Sequence, residues 1–119
     1  AVETVYHPGL PEHPGYEVQR RQATGNSGLF SFRVKDARMV EPVLRNIRLI
    51  AFAESMGGVE SLMTYPAVQT HADIPEHVRR AIGVDDRLLR LSVGIEHVND
   101  LIADLDQAFD AAMREIGAA

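Results

Sequence analysis

The sequence contains no cysteine, only one lysine, and no long run of apolar residues. Without cysteine, a disulfide framework, a thiolate zinc site and a thiol nucleophile are all excluded. No apolar stretch approaches the ~20 residues of a membrane span, and no segment resembles a signal peptide. The single lysine, Lys35, stands against eleven arginines, and the chain begins at Ala1 rather than at methionine.

The remaining composition is that of one acidic domain. The chain has 119 residues, of which 45% are hydrophobic and 24% charged. This length suits a single domain with a buried core, since domains commonly run to roughly 100–150 residues. Twelve Lys and Arg residues against 17 Asp and Glu give a net charge of −5. We therefore expect no nucleic-acid partner, because nucleic-acid-binding proteins usually carry a basic surface.

Alternating and β-branched residues predict five strands. They cover residues 1–6, 29–34, 49–53, 59–65 and 88–93. In the last of them Leu89, Leu91 and Val93 share one face, and Arg90 and Ser92 share the other, because successive side chains of a strand alternate.

Apolar spacing and end signals predict four helices, over residues 15–23, 36–47, 75–82 and 98–116. Asp36 is expected to cap the second, Gly83 to end the third and Asn99 to cap the fourth. In the fourth helix Asp104 is expected to lie off an apolar stripe that runs from residue 98 to residue 116. The order of elements predicts an α/β or α+β layer domain, with helices covering a mainly antiparallel sheet.

Arg90 is the first candidate functional residue. It lies in the middle of a predicted strand, on the face opposite the leucines. A guanidinium held on a rigid strand binds a carboxylate through two parallel hydrogen bonds. The alternative is a solvated arginine on the open face of a sheet.

The segment Glu54-Ser55-Met56-Gly57-Gly58 is the second candidate. It follows an apolar strand, where loops often present groups that contact ligands. Glu54 is suited to receive a cationic amine, Ser55 to donate a hydrogen bond, and the glycines to let the backbone approach a ligand. The alternative is an ordinary turn with a polar tip.

Other common chemical motifs are missing from the sequence. The five histidines lack the spacing of metal ligands, and Thr70-His71 is expected either to line a pocket or to cap a loop. There is no G-x-S-x-G segment, and the glycines of residues 25–28 lack the lysine of a phosphate-binding loop. The residues alone therefore indicate an acidic α/β domain with a candidate carboxylate-binding face.

Five blocks of the sequence resemble the C-terminal domain of the trans-sulfuration enzymes, a pyridoxal-phosphate-dependent family. The matching blocks are 5–10 with 13–14, 28–32, 52–62, 66–67 with 70–71, and 89–96. They follow the family's order and cover nearly the whole chain. The blocks Glu54–Leu62 and Leu89–Glu96 are the most specific.

This resemblance implies that residues 1–119 form the small, substrate-side domain of a type I pyridoxal-phosphate enzyme. Arg90 would bind the substrate α-carboxylate, assisted by the backbone or hydroxyl of Ser55. Glu54 would contact the distal amino group of cystathionine or cysteine, and Thr70 would line the same pocket. The resemblance also implies a cytoplasmic homotetramer.

The cofactor is expected to be held mainly by a large N-terminal domain, as a Schiff base with a lysine there. Lys35 does not match that lysine's motif, and the phosphate-binding and ring-stacking residues of the large domain have no counterpart in this sequence. We therefore expect the chain to be a fragment of a longer enzyme. It would have no catalytic or cofactor-binding residue of its own and would be inactive alone.

The resemblance favours one subclass. At Glu54 the sequence is similar to cystathionine γ-synthase and γ-lyase, and residues 69–75 are similar to bacterial synthases. It thus implies γ-replacement, which joins cysteine to an O-acylhomoserine to give cystathionine. Cystathionine γ-lyase is the alternative enzyme, and a stand-alone, non-catalytic ligand-binding or interaction module is the alternative of another class.

Overall fold

A five-stranded sheet organises residues 1–117, the part of the chain that this computed structural model describes. The strands are β1 (Val2–Tyr6), β2 (Leu29–Val34), β3 (Ala51–Phe52), β4 (Leu62–Thr64) and β5 (Leu88–Ser92). The helices are α1 (Tyr16–Gln22), α2 (Val40–Asn46), α3 (Glu76–Ala81) and α4 (Val98–Glu115), with a 3-10 turn at Ala37–Met39 before α2.

The strands lie in the order β1-β2-β5-β4-β3. Neighbours are antiparallel except for β3 and β4, which run parallel. This confirms the predicted mixed class with a mainly antiparallel sheet. In the central strand β5, Arg90 lies opposite Ser31 of β2 on one side and Thr64 of β4 on the other.

One face of the sheet forms the core with helices α2 and α4. Leu89 is completely buried in this core and Leu91 nearly so, while Val93 packs against it after the end of β5. Burying each large apolar side chain stabilises the fold by about 1.5–3 kcal/mol. The other buried members are Phe32, Val34, Met39, Val40, Val43, Ile50, Met63, Leu101, Ala108 and Ala112. The predicted leucine face is therefore confirmed, and Arg90 lies on the face that α2 and α4 do not cover.

Helix α4 departs from the predicted stripe at its first turns. Val98 is 60% exposed and Ile102 52% exposed, so the buried side of the helix begins at Leu101. Asp104 was expected off the stripe, and that prediction was wrong because it is only 6% exposed. Its carboxylate accepts hydrogen bonds from the backbone amides of residues 48, 49 and 50 at 2.8, 2.9 and 2.9 Å.

Two predicted strands are shorter in the structure. Residues 49–53 form a strand only at Ala51–Phe52, since the amides of the preceding residues are bound to Asp104 instead of a neighbouring strand. Residues 59–65 form a strand only at Leu62–Thr64. Val59 lies in a loop, where its carbonyl accepts a hydrogen bond from the Ile95 amide at 2.9 Å.

The predicted end signals were right in two cases of three. Asp36 accepts a hydrogen bond from the Arg38 amide at 2.9 Å, and Gly83 has a φ of +86° just after α3. At the start of α4 the cap is His97, whose Nδ1 accepts from the Asn99 amide at 3.1 Å. Asn99 lies inside the first helical turn, two positions after His97, and is therefore too late to cap the free amides there.

No helix within residues 1–117 is long and apolar enough to cross a membrane. In the same part of the chain, no group of three or more His, Asp or Glu side chains is placed to hold a metal ion.

Candidate functional site

The candidate site is built around Arg90, in the middle of the central strand. Its side chain is partly buried and rises from the face of the sheet opposite the apolar core. Strand β4 places Thr64 directly beside it, and Ser92 follows two positions along β5 on the same face. Because three paired strands fix its backbone, the direction of the Arg90 side chain is set by rigid structure.

Only one of the three nitrogens of the Arg90 guanidinium donates hydrogen bonds within residues 1–117. Nη2 donates to the Glu54 carbonyl at 2.6 Å and to Thr64 Oγ1 at 3.2 Å. Nε is buried without a hydrogen-bond partner, and Nη1 makes no hydrogen bond within residues 1–117. A buried donor without a partner is uncommon and costs about 1–3 kcal/mol, so this guanidinium is suited to an anionic ligand.

The loop of residues 54–58 lies over this arginine and is held by the strands beneath it. Thr64 Oγ1 donates to the Ala53 carbonyl at 2.5 Å, where the loop begins. Ser92 Oγ accepts from the Gly57 amide at 2.9 Å, and Gly57 has a φ of +78°, which favours glycine. The loop backbone is thus fixed to β5, which carries Arg90, and to the neighbouring strand β4.

The side chains of Glu54 and Ser55 are both exposed on this loop. Glu54 contacts Arg90 through its backbone carbonyl, whereas its carboxylate makes no hydrogen bond within residues 1–117. The structure therefore brings Glu54 and Ser55 close to Arg90 along the chain while leaving their side chains free for a ligand.

A second contact joins the segments on either side of the site. Glu96 accepts hydrogen bonds from the amide of Ser61 at 2.8 Å and from its hydroxyl at 2.6 Å. These bonds lower the pKa of the Glu96 carboxyl below its usual value, the side-chain bond contributing most. Ser61 Oγ in turn accepts from the Gly94 amide at 2.8 Å. Both sequence blocks singled out as most specific therefore contact each other in space.

Thr70 lies on a different loop, between β4 and α3. Its hydroxyl is 2.7 Å from Nδ1 of His71, and Arg90 is not among its hydrogen-bond partners within residues 1–117. Arg79 of α3 supports this loop by donating to the carbonyls of His71, Ala72 and Ile74. The role of Thr70 as a substrate contact stays a prediction, since its side chain is exposed and its hydroxyl contacts the neighbouring His71.

Sequence reasoning did not find Thr64, Ser92, Ser61 or Glu96 as parts of the site. The signal for Ser92 was present, because it alternates with Arg90 on the polar face of a predicted strand. Thr64 required knowledge of which strand pairs with β5, and the Ser61–Glu96 contact joins residues 35 positions apart.

Lys35, the single lysine of the chain, lies away from Arg90. Lys35 is exposed just after the end of β2, four residues beyond Ser31, which lies opposite Arg90. At about 3.3 Å per residue this places its backbone roughly 13 Å away along the strand. Two clefts of about 440 and 290 Å³, formed by the first 26 residues, are not lined by Arg90 or Lys35.

Solved structures similar to this chain include enzymes of cystathionine metabolism. Cystathionine γ-synthase from Xanthomonas oryzae pv. oryzae, solved with aminoacrylate and cysteine and also with cystathionine, matches with a TM-score of 0.89 and 41% identity. The match covers 95% of this chain and 30% of that one. The fold of this chain is therefore shared with part of that enzyme.

Sequence comparison gives the family. The model of the Cys/Met metabolism PLP-dependent enzymes matches residues 1–110, and the chain belongs to this family. It is 51% identical to cystathionine γ-lyase from Dictyostelium discoideum and 47% identical to cystathionine β-lyase from Lactococcus lactis subsp. cremoris, over 92% of its length in both cases. The match covers only 28% and 29% of those two enzymes, so the chain spans less than a third of their length. The predicted family resemblance is confirmed.

Proposed function

We propose that this chain is the substrate-side part of a pyridoxal-phosphate-dependent trans-sulfuration enzyme, in which Arg90 binds the α-carboxylate of the amino-acid substrate. The observation that carries the proposal is the state of the Arg90 guanidinium, which is fixed at Nη2 and unpartnered at Nη1 and Nε within residues 1–117. Hydrogen bonds from a charged donor to a carboxylate are among the strongest in proteins.

The existing contacts of Nη2 define how a carboxylate would be bound. Both N–H groups of Nη2 face the Glu54 carbonyl and Thr64 Oγ1. Nη1 is therefore the readily available donor. The two-point contact expected from the sequence requires the carboxylate to share one Nη2 proton with the protein. Substrate binding at Arg90 is thus coupled to the loop of residues 54–58.

The family depends on pyridoxal phosphate, which acts as an electron sink for bonds at the substrate's Cα when it is bound. The position of Lys35 supports assigning the cofactor's lysine and phosphate contacts to a part of the protein outside this chain. The contribution of residues 1–117 is then to hold the substrate in register. A fixed carboxylate orients the Cα–H bond for proton removal, and such orientation accounts for a large part of enzymatic rate enhancement.

The neighbouring side chains have proposed roles in selecting the substrate. The exposed carboxylate of Glu54 is suited to the distal amino group of cystathionine or to the amino group of cysteine. Ser55 would hydrogen-bond the α-carboxylate from its amide or hydroxyl, and Thr70 would line the far side of the pocket.

Within the family we propose γ-replacement, in which cysteine and an O-acylhomoserine give cystathionine. The fold match to a synthase solved with cysteine and with cystathionine supports this assignment. Cystathionine γ-lyase is the second candidate, and the 51% identity to a γ-lyase favours it. The homotetrameric assembly and cytoplasmic location implied by the family resemblance are further parts of the proposal.

The carboxylate role is tested by replacing Arg90 with alanine and with lysine in the full protein as encoded. We expect the KM for the O-acylhomoserine to rise by one to two orders of magnitude in R90A, because a charge-assisted contact is worth about 1.5–3 kcal/mol. Lysine should restore part of the loss. The control is Arg87→Ala. Arg87 lies away from the site, and its Nη1 is 3.3 Å from Oε1 of Glu3. An unchanged KM in R90A would refute the assignment.

The subclass is tested by two assays on the same protein. Cysteine is supplied with O-acetyl- or O-succinylhomoserine in one, and cystathionine alone in the other. Faster synthesis supports the synthase, and faster breakdown selects the lyase. No activity in either assay, together with an encoded protein that lacks the family's lysine motif, would instead support a non-catalytic module.

A further inference from the structure

We propose that Thr64 is a positioning residue that orients Arg90 for binding the substrate carboxylate. This inference rests on the proposed function, because it concerns the same carboxylate site. Thr64 is 1% exposed, lies in the short strand β4 and is the direct cross-strand neighbour of Arg90.

The hydroxyl of Thr64 has a fixed direction. It donates its one hydrogen to the Ala53 carbonyl at 2.5 Å. A hydroxyl has a single donor and two acceptor positions, so towards Arg90 its oxygen acts only as an acceptor. It accepts from Nη2 of Arg90 at 3.2 Å. Thr64 therefore links Ala53, which immediately precedes the loop, to Arg90.

Two acceptors hold one nitrogen of the guanidinium. The Glu54 carbonyl takes one N–H group of Nη2 at 2.6 Å, and Thr64 Oγ1 takes the other. Because the guanidinium is planar, fixing both hydrogens of Nη2 also fixes the direction of Nη1. The donor left for a ligand is then presented in one orientation, which lowers the entropy lost on binding.

Removal of the hydroxyl would leave the guanidinium with the Glu54 carbonyl as its only acceptor within residues 1–117. The side chain would then sample other rotamers, and the Ala53 carbonyl would lose its side-chain donor. Valine has nearly the same shape as threonine without the hydroxyl, and serine keeps the hydroxyl without the methyl group. These two substitutions separate positioning from packing.

The test uses the full protein as encoded, with Thr64→Val and Thr64→Ser. The readouts are kcat and KM for the O-acylhomoserine, with cysteine as the second substrate, and competitive inhibition by glycine, which carries a carboxylate and no side chain. We expect T64V to raise the KM and the glycine inhibition constant about tenfold, as for the loss of one hydrogen bond to a charged group, with kcat changed less. In T64S the KM and the glycine inhibition constant should stay within about twofold of those of the unmodified protein.

A double-mutant cycle separates this inference from the proposed function. Thr64→Val should have no further effect when Arg90 is already alanine, because the hydroxyl acts through the guanidinium. If R90A binds substrate normally, the proposed carboxylate role fails. If R90A weakens binding but T64V does not, or T64V tightens it, the positioning role of Thr64 is refuted.

Equal losses in the valine and serine variants would also refute it, since they would indicate packing. Thermal unfolding of each variant verifies that the fold is retained. Should the valine variant not fold, Thr64→Ala provides the same comparison with Thr64→Ser.

Discussion

The carboxylate of Glu96 accepts hydrogen bonds from both the amide and the hydroxyl of Ser61, a residue 35 positions earlier in the chain. The contact connects the segment that follows β5 to the segment that precedes β4. It thereby fixes the separation between the loop of residues 54–58 and the strand that carries Arg90.

The Glu96 contact predicts an acid-dependent loss of stability. Hydrogen bonds from Ser61 depress the pKa of Glu96 in the folded protein. Its stabilising contribution is therefore fully present above the ordinary value of 4.5 and is lost as the pH falls through the lowered folded value. Glu96→Gln should lower the unfolding temperature at pH 7 and reduce the further loss on acidification. Glu12→Gln, at an exposed position, is the control; identical pH profiles for E96Q and the unmodified protein would contradict the prediction.

Asp104 predicts a larger effect on stability. Burial alone would raise its pKa, but the bonds from the amides of residues 48–50 and from Gln107 outweigh this and lower it. Asp104→Asn leaves at least one of these amides without an acceptor, and we expect a loss of about 2 kcal/mol in the free energy of unfolding. Urea unfolding measures it. Asp106→Asn, on the exposed side of α4, should change stability by no more than about 0.5 kcal/mol.

Gly94 predicts a steric effect. A Cβ built at this position would lie 2.2 Å from the carbonyl oxygen of Val59, which is backbone and has no rotamer to change. Gly94→Ala should therefore separate the two segments that Ser61 and Glu96 join. It should cost about 1–3 kcal/mol of stability, as overpacking usually does. Gly25→Ala, where nothing lies within 4 Å of the new Cβ, is the control; equal stability of the two variants would contradict this explanation.

Lys35 predicts the behaviour of the 119-residue chain with added pyridoxal phosphate. We expect no saturable absorbance of a lysine-bound cofactor, because Lys35 is exposed and roughly 13 Å along the strand from the residue opposite Arg90. Titration of this chain and of its Lys35→Arg variant should give the same weak, non-saturating spectrum. A saturable band that disappears in K35R would place a cofactor site in this chain.

Local patterns were sufficient for the framework of the fold. Strands such as 29–34 and 88–93, with their two faces, were predicted from alternation, and the face of Arg90 followed from its neighbours. The pattern was misleading where a distant side chain takes over backbone amides. Asp104 binds the amides of Leu49 and Ile50, so the strand predicted over residues 49–53 begins only at residue 51. Asp104 is 54 or more positions away in the sequence, and nothing near Leu49 indicates this contact.

The geometry of the candidate site was predictable only in part. Arg90 and the loop of residues 54–58 were identified from their residue types, and the structure brings the Glu54 carbonyl to Arg90. The use of the carbonyl rather than the carboxylate was not predictable, because it depends on how the loop folds back over β4. Thr64 was missed for a related reason, since only the pairing of β4 with β5 places it beside the guanidinium.

The strand order has a consequence for synthesis. The central strand β5 is the last strand in the chain, and it pairs on one side with β2, some sixty residues earlier. Contacts between such distant parts of a chain form slowly, because a long loop must close first. Until residues 88–92 have been synthesised, β2 and β4 lack the strand that lies between them. Glu54 and Thr64, which contact Arg90, precede β5 in the chain. Synthesis of β5 therefore supplies the central strand of the sheet and Arg90 together.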